Sequence, residues 1–345
     1  MDARDGTTLI GVGASAGGVE ALLDLAEGLP ADLPAAVFVV LHQLPTAPTV
    51  LPNLLGRRCA LPVEHGRDGA VVERGRVYVA PPDHHLLVHD GRLVVSRGPK
   101  ENGHRPSVDP LFRSLALEAG PSAIGVVLSG MLDDGSAGLL EMVRHGGTAV
   151  VQEPEEALFP DMPRAALHQV PGAVVRPVAA LAEVFVELAA RPSLGGRGAS
   201  EQLVYEVAVA RNDTTEVARS DPPGPPAGLS CPDCSGPLFD LSERHLLHYR
   251  CRVGHSWTEE SLHVEQNGRV EDALYAALQA LEEKAALQHR IAATAAARNS
   301  SRVVTRARET AHDALRAASL VRALLVEPAG RTSSTEETTT NGEVL

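Results

Sequence analysis

Polar residues that could together perform nucleophilic catalysis follow three separate apolar runs of the chain. Ser15 follows the first run, His42 ends the second, and a loop containing Asp133 and Asp134 follows a third. A serine hydroxyl is a weak nucleophile unless a base takes its proton, and an imidazole does this near neutral pH. A carboxylate bonded to the imidazole fixes its tautomer and stabilises the imidazolium. The chain therefore carries a candidate nucleophile, base and acid in that order.

The turn that holds Ser15 has two interpretations. The sequence GASAGG at residues 13–18 places a serine between small neighbours, which suits a sharp nucleophile elbow between a strand and a helix. The same stretch also matches a dinucleotide fingerprint, Gly11-x-Gly13-x-x-Ala16. That fingerprint expects an acidic residue at the end of the second strand, and His42 stands there instead. His42 favours nucleophilic chemistry, while phosphate binding, plain packing and a helix-capping serine stay open.

The sequence around these residues predicts an α/β fold. Apolar runs alternate with helix-period segments from residue 8 to about residue 190, which predicts a doubly wound, mostly parallel sheet in three Rossmann-like layers. Asp90-Gly91 between two apolar runs predicts an inserted β-hairpin with a type I′ turn. Catalytic groups of such sheets gather at the carboxyl ends of the strands. The predicted strands are 8–12, 36–41, 123–128 and 148–152, and the predicted helices are 107–119, 136–145 and 178–190.

Composition narrows the functional class. The net charge of −13 disfavours nucleic-acid binding, which needs clustered Lys and Arg. No apolar run approaches the length of a membrane span, and the first residues lack a signal-peptide core, so we expect a cytoplasmic protein without membrane insertion. Four cysteines in a reducing compartment argue against a disulfide framework. A length of 345 residues suggests two or more units.

Several motifs occur in order over the first half of the chain. They are GASAGG at 13–18, His42 after a valine-rich strand, VYVAPPDHHL at 77–86, HRPSVD at 104–109, SGMLDDG at 129–135 and MPRAA at 162–166. Together they resemble the CheB-type protein-glutamate methylesterase domain, from about residue 7 to residue 190. The resemblance implies a serine hydrolase that needs no cofactor. It would remove methyl esters from glutamates of chemoreceptor signalling helices, release methanol and, as in many members, also deamidate glutamines.

The resemblance also implies a role for each site residue. It places the nucleophile at Ser15, the base at His42 and the orienting acid at Asp134. Asp133 is adjacent, but the family pattern Gly-Met-Gly-x-Asp-Gly has its acid immediately before the glycine. The backbone amide of Met131 would help to form the oxyanion hole, where donors face developing charge.

Two features depart from the family pattern. Leu132 replaces the usual glycine after the methionine, which changes the loop beside the oxyanion hole. The receiver domain that usually precedes the catalytic domain has no room before the first strand. We therefore expect that phosphorylation of the same chain is not the switch.

A second candidate site contains three of the four cysteines. Cys231 and Cys234, then sixteen residues, then Cys251 and His255 have the spacing of two metal knuckles. Thiolates and an imidazole at tetrahedral reach suit zinc, and four protein ligands predict a structural site. Buried cysteines beside a solvent-facing histidine are the alternative.

Three further histidine and cysteine residues are not predicted to bind the metal. His245 and His248 are rival ligands, but they belong to an alternating stretch and we expect them to face solvent. Cys59 follows two arginines and is expected to be a packed residue.

The predicted organisation has five parts. They are a catalytic domain at 1–190, a linker at 191–228 with a short ordered piece at 203–207, a zinc-ribbon-like module at 229–265, a helical hairpin or long helix at 266–328, and a disordered tail at 329–345. The expected partner is a methylated chemoreceptor or a similar helical signalling protein, with regulator binding through the C-terminal helices. A catalytically silent signalling scaffold or binding module is the alternative function.

Overall fold

The computed structural model describes residues 7–191, 199–213, 215, 224–242 and 247–326. The chain divides into two units, Met1–Glu265 and Gln266–Leu345. The predicted tail at 329–345 and parts of the predicted linker lie outside the described residues.

A seven-stranded sheet forms the centre of the first unit. The strands up to residue 190 are β1 (Thr8–Ala14), β2 (Ala35–Leu41), β3 (Val63–His65), β4 (Arg76–Val79), β5 (His85–His89), β6 (Arg92–Ser96), β7 (Ala123–Val127), β8 (Thr148–Gln152) and β9 (Val174–Arg176). The sheet order is β3-β4-β2-β1-β7-β8-β9, and every neighbouring pair is parallel. All residues of β1 and β2 are buried, as parallel strands covered on both faces require.

Helices cover both faces of this sheet. The helices α3, α4, α5 and α7 pack on one face, and α1, α2 and α6 pack on the other. Each presents an apolar stripe, as α1 does with Leu22 and Leu25. The predicted three-layer, doubly wound α/β fold is confirmed. The bounds are α1 (Gly18–Gly28), α2 (Leu51–Gly56), α3 (Val108–Ala119), α4 (Ser136–Arg144), α5 (Asp161–Gln169), α6 (Val178–Ala189) and α7 (Glu201–Ala210).

The inserted hairpin forms as predicted. Strands β5 and β6 pair antiparallel, with His89 opposite Arg92 across the turn. Asp90 has φ 50° and Gly91 has φ 69°, and a type I′ turn needs positive φ at both central residues.

Helix α7 lies inside the stretch predicted as linker and contains the short ordered piece predicted at 203–207, which it extends to Glu201–Ala210. The Ser200 hydroxyl accepts a hydrogen bond from the Leu203 N–H and caps the helix. Leu203 and Val207 then pack into the core on the α3 side of the sheet. The ordered piece was therefore predicted, and its full helical extent follows from this tertiary packing.

Four antiparallel strands form a second, smaller sheet in the first unit. In order they are β10 (Pro226–Ser230), β11 (Pro237–Asp240), β12 (His248–Cys251) and β13 (Ser256–Thr258), and we call this sheet the ribbon. Its first strand begins inside the predicted linker. Its small core contains two cysteines and the single tryptophan of the chain, Trp257.

The ribbon contacts the catalytic part of the unit through its last strand. The Asn102 N–H donates to the Ser256 carbonyl at 2.8 Å, and the Ser256 N–H donates to the Lys100 carbonyl at 3.3 Å. These bonds set β13 parallel to residues 100–102. The ribbon and the catalytic part therefore belong to one unit, although the sequence predicts separate domains.

Four buried charged side chains lie between the ribbon and the catalytic part. Arg113 pairs with Glu101 and, at 2.9 Å, with Glu206. Arg250 of β12 lies 3.3 Å from Glu101 and 3.6 Å from Glu206. Burial alone would raise the pKa of Glu206, but the two guanidiniums lower it to about 2. The two positive charges of this group balance its two negative charges. Removing one partner from such a buried group lowers the stability of the fold by about 3–5 kcal/mol.

His248 is buried, and the prediction that it faces solvent is wrong. Its ring hydrogen-bonds the Ser256 hydroxyl, and its other nitrogen lies 3.9 Å from Glu206. Burial lowers the pKa of His248 to about 4, so the ring is neutral near pH 7. The alternating pattern indicated one exposed face of β12, but the catalytic part covers that face. His245 lies outside the described residues.

Two long helices complete the described chain. Helix α8 (Glu259–Ala297) begins in the first unit, and α9 (Ser301–Val326) follows it after a three-residue turn. Within the second unit Ala285 packs against Ala311 and Ala314, and Arg322 pairs with Glu282. Over the ranges that the structure describes, no helix combines the length and the apolar character needed to cross a membrane.

Asp133 ties the loop after β7 to the first turn of α8. Its Oδ1 accepts hydrogen bonds from the Thr258 hydroxyl at 2.7 Å and the Ser261 hydroxyl at 2.9 Å. Burial raises the pKa of the Asp133 carboxyl to about 6, with smaller contributions from Glu260 and Asp134, although both hydroxyls oppose the shift.

Asp133→Asn should remove a pH dependence of stability. Because the folded pKa of Asp133 lies near 6 and its ordinary value is 3.8, this carboxyl's contribution to folding is complete below pH 3.8 and is lost as the pH rises through 6. An asparagine oxygen can still accept both hydroxyl bonds. We expect the free energy of unfolding of Asp133→Asn to rise relative to that of the wild type by up to about 3 kcal/mol between pH 4 and pH 7.

Urea unfolding at four pH values, followed by the fluorescence of Trp257, measures this difference. The Trp257 side chain is buried in the ribbon and reports on the first unit. Two parallel curves of stability against pH would contradict the role assigned to Asp133.

Candidate active site

The three central strands of the sheet bring the predicted residues to one edge. Ser15 directly follows β1, His42 directly follows β2, and the loop with Asp134 follows β7 on the other side of β1. Ala14 and Leu41 are opposite each other at the ends of β1 and β2, and the His42 N–H donates to the Ala14 carbonyl at 3.1 Å. The parallel register therefore sets serine and histidine side by side.

The three side chains form a continuous hydrogen-bonded chain. The Ser15 Oγ lies 3.1 Å from His42 Nδ1, and His42 Nε2 lies 2.7 Å from Asp134 Oδ2. An ionised carboxylate can only accept, so Nε2 carries the proton and Nδ1 directs its lone pair at the serine hydroxyl. This arrangement allows the imidazole to take the hydroxyl proton.

The Asp134 carboxylate is surrounded by donors. Its Oδ2 also accepts from the Val108 N–H at 2.7 Å, and its Oδ1 accepts from the Ser107 hydroxyl at 2.8 Å and the Asn102 amide at 3.2 Å. Burial alone would raise the pKa of this carboxyl. The hydrogen bond and charge of His42 and the Val108 N–H outweigh burial and hold it well below its usual range.

Asp133 does not join this chain. Its carboxylate is bonded to Thr258 and Ser261, whereas His42 is bonded to Asp134. The geometry agrees with the family pattern in choosing between the two adjacent acids.

His104, the first residue of the motif at 104–109, lies against the ring of His42. Its ring stacks on the His42 ring with centroids 3.9 Å apart and planes 24° apart. Burial and the neighbouring His42 lower the pKa of His104 to about 4, so it stays neutral near pH 7. His104, Asn102 and Ser107 all come from the polar stretch before α3, and that stretch was the available sequence signal.

The turn around Ser15 has the geometry of an elbow. Gly17 has φ 69° and occupies the N-cap of α1, which no side chain caps, so Ser15 is not a capping serine. The Ser15 N–H donates to the Ser129 carbonyl at 2.9 Å. A Cβ on Gly130 would lie 2.9 Å from the Ser15 Cβ and closer still to Met162, so the loop after β7 approaches the serine closely.

The glycines of the alternative nucleotide fingerprint serve packing. A Cβ on Gly13 would lie 2.3 Å from the Val108 side chain, and one on Gly11 would lie 2.8 Å from that of Leu115. Both neighbours belong to α3, which therefore fills the space beside these glycines. This contact explains the spacing of Gly11 and Gly13 without a pyrophosphate.

The loop predicted to supply the oxyanion hole lies beside Ser15. The Gly130 N–H is engaged by the Phe159 carbonyl at 3.0 Å, and Met131 follows it with a half-exposed side chain. Leu132 has φ 61°, a left-handed conformation that costs a side-chain-bearing residue about 1–2 kcal/mol and that the family's usual glycine adopts freely. The Met131 amide as an oxyanion donor stays a prediction.

Exposed apolar side chains occur on the segments that follow β2, β7 and β8. Leu158, 70% exposed, lies against Gly17, and Leu44, 74% exposed, follows His42 by two residues. Met131 is 51% exposed on the loop after β7. We call Leu44, Met131 and Leu158 the apolar rim.

The four predicted metal ligands converge in the ribbon. The Cys234 and Cys251 sulfurs are 3.7 Å apart, and His255 Nδ1 lies 3.8 Å from Cys231 Sγ and 3.5 Å from Cys251 Sγ. A tetrahedral zinc ion with Zn–S of about 2.3 Å and Zn–N of about 2.1 Å needs sulfurs about 3.8 Å apart and nitrogen about 3.6 Å from sulfur. The cluster therefore fits a metal ion of that size and geometry.

The two buried thiols of this cluster have pKa values shifted in opposite directions. Hydrogen bonds with Cys251 and His255 outweigh burial and hold the pKa of Cys231 well below its usual range, whereas the hydrogen bond with Cys231 and burial raise the pKa of Cys251 well above its own. Cys59 lies apart from the cluster, half-buried against the core between the sheet and α1, as predicted.

Comparisons with known proteins point to one family. The CheB methylesterase family model matches residues 10–185. Relatives named protein-glutamate methylesterase/protein-glutamine glutaminase include one from Xanthomonas campestris pv. campestris, 40% identical over 188 residues, which are 53% of this chain and 52% of the relative. Another, from Rhizobium etli, is 41% identical over 196 residues, 55% of each protein.

A solved structure agrees with these relatives. The crystal structure of the Thermotoga maritima CheB methylesterase catalytic domain matches with a TM-score of 0.51 and 30% identity, over 53% of this chain and 98% of that domain. The chain spans about half the length of the curated relatives it matches. From the family match over residues 10–185 and the shared fold, the chain belongs to the CheB methylesterase family.

Proposed function

We propose that this protein is a protein-glutamate methylesterase in which Ser15 is the nucleophile. The observation that carries the proposal is the hydrogen-bonded chain from Ser15 through His42 to Asp134 at the carboxyl edge of the sheet. The names of the relatives support glutamate methyl esters as the substrate class.

The first half of the reaction transfers the acyl group to the enzyme. The Ser15 Oγ attacks the ester carbonyl while His42 Nδ1 takes the hydroxyl proton. The resulting oxyanion accepts a hydrogen bond from the Met131 N–H. His42 then gives its proton to the leaving methoxide, methanol departs, and a glutamyl ester of Ser15 remains.

The second half returns the enzyme to its starting state. His42 takes a proton from water, the hydroxide attacks the acyl carbonyl, and the proton returns to Ser15 as glutamate leaves. Asp134 stays ionised throughout, and its bond to Nε2 keeps the imidazole in the productive tautomer. His104 stays neutral beside it, so the imidazolium that forms twice per cycle meets no second positive charge on the stacked ring.

The same groups can hydrolyse an amide. Attack on a glutamine side chain would form the same acyl-enzyme with release of ammonia in place of methanol. We therefore propose glutamine deamidation as a second activity of this site, as the names of the relatives indicate for those proteins.

We propose a methylated chemoreceptor or a similar helical signalling protein as the partner. The apolar rim supports this proposal, because exposed apolar side chains beside a reactive centre suit the surface of a protein substrate better than a small polar ester. Regulator binding through the helices of the second unit is a further part of the proposal. We also place the protein in the cytoplasm, where the thiols of the cluster stay reduced.

We propose that Cys231, Cys234, Cys251 and His255 hold a structural zinc ion. The separations of their donor atoms support a tetrahedral site, and four protein ligands leave no open position for a reactant. When bound, the ion would stabilise the fold of the ribbon. Catalysis itself needs no cofactor.

Ser15→Ala should abolish methanol release from a methylated chemoreceptor fragment. Removal of the nucleophile of such a triad lowers kcat by a factor on the order of 10⁴ or more, and the alanine leaves the fold of the elbow unchanged. Methanol is measured by a coupled oxidase assay, with ammonia release from a glutamine-bearing fragment measured alongside. Equal rates for the wild type and Ser15→Ala would refute the proposed function.

The purified protein should contain one zinc ion per chain. Cys231→Ser should lower the zinc content several-fold, because it replaces a buried thiolate ligand. Cys59→Ser is the matched control and should keep the full zinc content, since Cys59 lies outside the cluster. Elemental analysis by mass spectrometry decides, and a protein purified without metal that takes up none on zinc addition would exclude the site.

A further inference from the structure

The side-chain amide of Asn102 connects the ribbon with the acid of the catalytic chain. Its Nδ2 donates to Asp134 Oδ1 and to Asp109 Oδ2, each at 3.2 Å. Its Oδ1 accepts from the Thr258 N–H at 2.9 Å and lies 3.3 Å from the Thr258 hydroxyl. The two residues are 156 positions apart in the chain, and both are buried.

This amide fits in one orientation only. The Thr258 N–H is a donor and requires the amide oxygen, while the ionised Asp134 carboxylate on the other side requires an amide N–H. Thr258 therefore fixes the end of Asn102 that faces Asp134. A flipped amide would set its oxygen against the Asp134 carboxylate and its N–H₂ against the N–H of Thr258.

Asn102 also lies between Asp109 and Asp134, two buried acids whose simultaneous ionisation is unfavourable. Burial and the charge of Asp134 raise the pKa of Asp109 well above its usual range. The amide donates to both carboxyl groups, and Asp134, with its additional donors, is the one that keeps its charge beside His42. The position of the amide therefore affects the charge of Asp134, the acid that orients His42.

A second contact from the same ribbon residue holds the acid loop directly. The Thr258 hydroxyl donates to Asp133 Oδ1 at 2.7 Å, and Asp133 is the neighbour of Asp134 in the chain. Thr258 therefore has two contacts with this part of the site. Its hydroxyl bonds Asp133 directly, and its N–H bonds the Asn102 amide, which in turn bonds Asp134. Thr258 ends β13, the strand that lies along residues 100–102.

We propose that Thr258 of the ribbon is a positioning residue for the esterase reaction, which holds Asp134 in place through Asn102 and Asp133. The ribbon then helps to position the residues of the active site. This inference rests on the proposed function, because it assigns Thr258 to the orientation of the same His42 imidazole.

The test uses the full chain and two esters. p-Nitrophenyl acetate reports on the Ser15 nucleophile independently of partner recognition, and a methylated chemoreceptor fragment reports on the proposed reaction. Thr258→Val removes the hydroxyl with little change of shape and should lower kcat about 10-fold on both esters, with KM within twofold of wild type. Thr258→Ser keeps the hydroxyl and should restore at least half of the wild-type kcat.

Asn102→Gly removes the connecting amide and should lower kcat about 100-fold with KM little changed. Asn102 has φ 51°, a conformation that glycine adopts without strain, so the backbone can keep its course. Asn299→Gly is the matched control, because Asn299 has φ 55° in the turn of the second unit and should leave kcat unchanged. Trp257 fluorescence and a urea midpoint verify that each variant is folded.

The outcomes separate the two claims. Loss of kcat in folded Thr258→Val with rescue by Thr258→Ser supports the inference. A Thr258→Val variant with the wild-type kcat, or with a loss that serine does not restore, overturns the inference while an inactive Ser15→Ala keeps the proposed function. A Ser15→Ala variant as active as the wild type overturns the proposed function itself.

Discussion

The buried charge of Asp134 is the interaction on which the rest of the active site depends. A carboxylate removed from water must be satisfied by donors, or it takes up a proton and no longer orients a base. Here the imidazole of His42, a backbone N–H, a hydroxyl and a side-chain amide supply those donors. The loops before α3 and after β7 therefore have to meet around one side chain, and this requirement organises the edge of the sheet.

The fold meets this requirement with distant parts of the chain. The parallel register of β1, β2 and β7 brings Ser15, His42 and the loop of Asp134 together, as the carboxyl edge of an open sheet commonly does for functional groups. The Asn102 amide beside Asp134 is in turn bonded to Thr258 of the ribbon. The buried Arg250 of the ribbon pairs with Glu101 and Glu206 of the catalytic part. The cluster of Cys231, Cys234, Cys251 and His255, the ion group and Asp134 are consequently parts of one unit.

Local patterns of the sequence were enough to predict the residues at the strand ends. Continuous apolar runs predicted the buried strands, and Asp90-Gly91 predicted the hairpin turn because its conformation is determined by two residues. The spacing of Cys231 through His255 predicted the cluster for the same local reason. Two features depend on tertiary contacts and were not predicted in full. Helix α7 extends beyond the predicted piece at 203–207 because it packs against α3, and His248 is buried because the catalytic part covers its strand.

We expect His42 to activate Ser15 for attack on an ester. A fluorophosphonate probe, which reacts with activated serines, reports this activation when the labelled peptide is identified by mass spectrometry. Ser15 should be labelled in the wild type, at a rate at least about 100-fold higher than in His42→Ala, because the base then no longer takes the hydroxyl proton. An unlabelled Ser15, or equal labelling rates in the two proteins, would show that His42 does not activate Ser15.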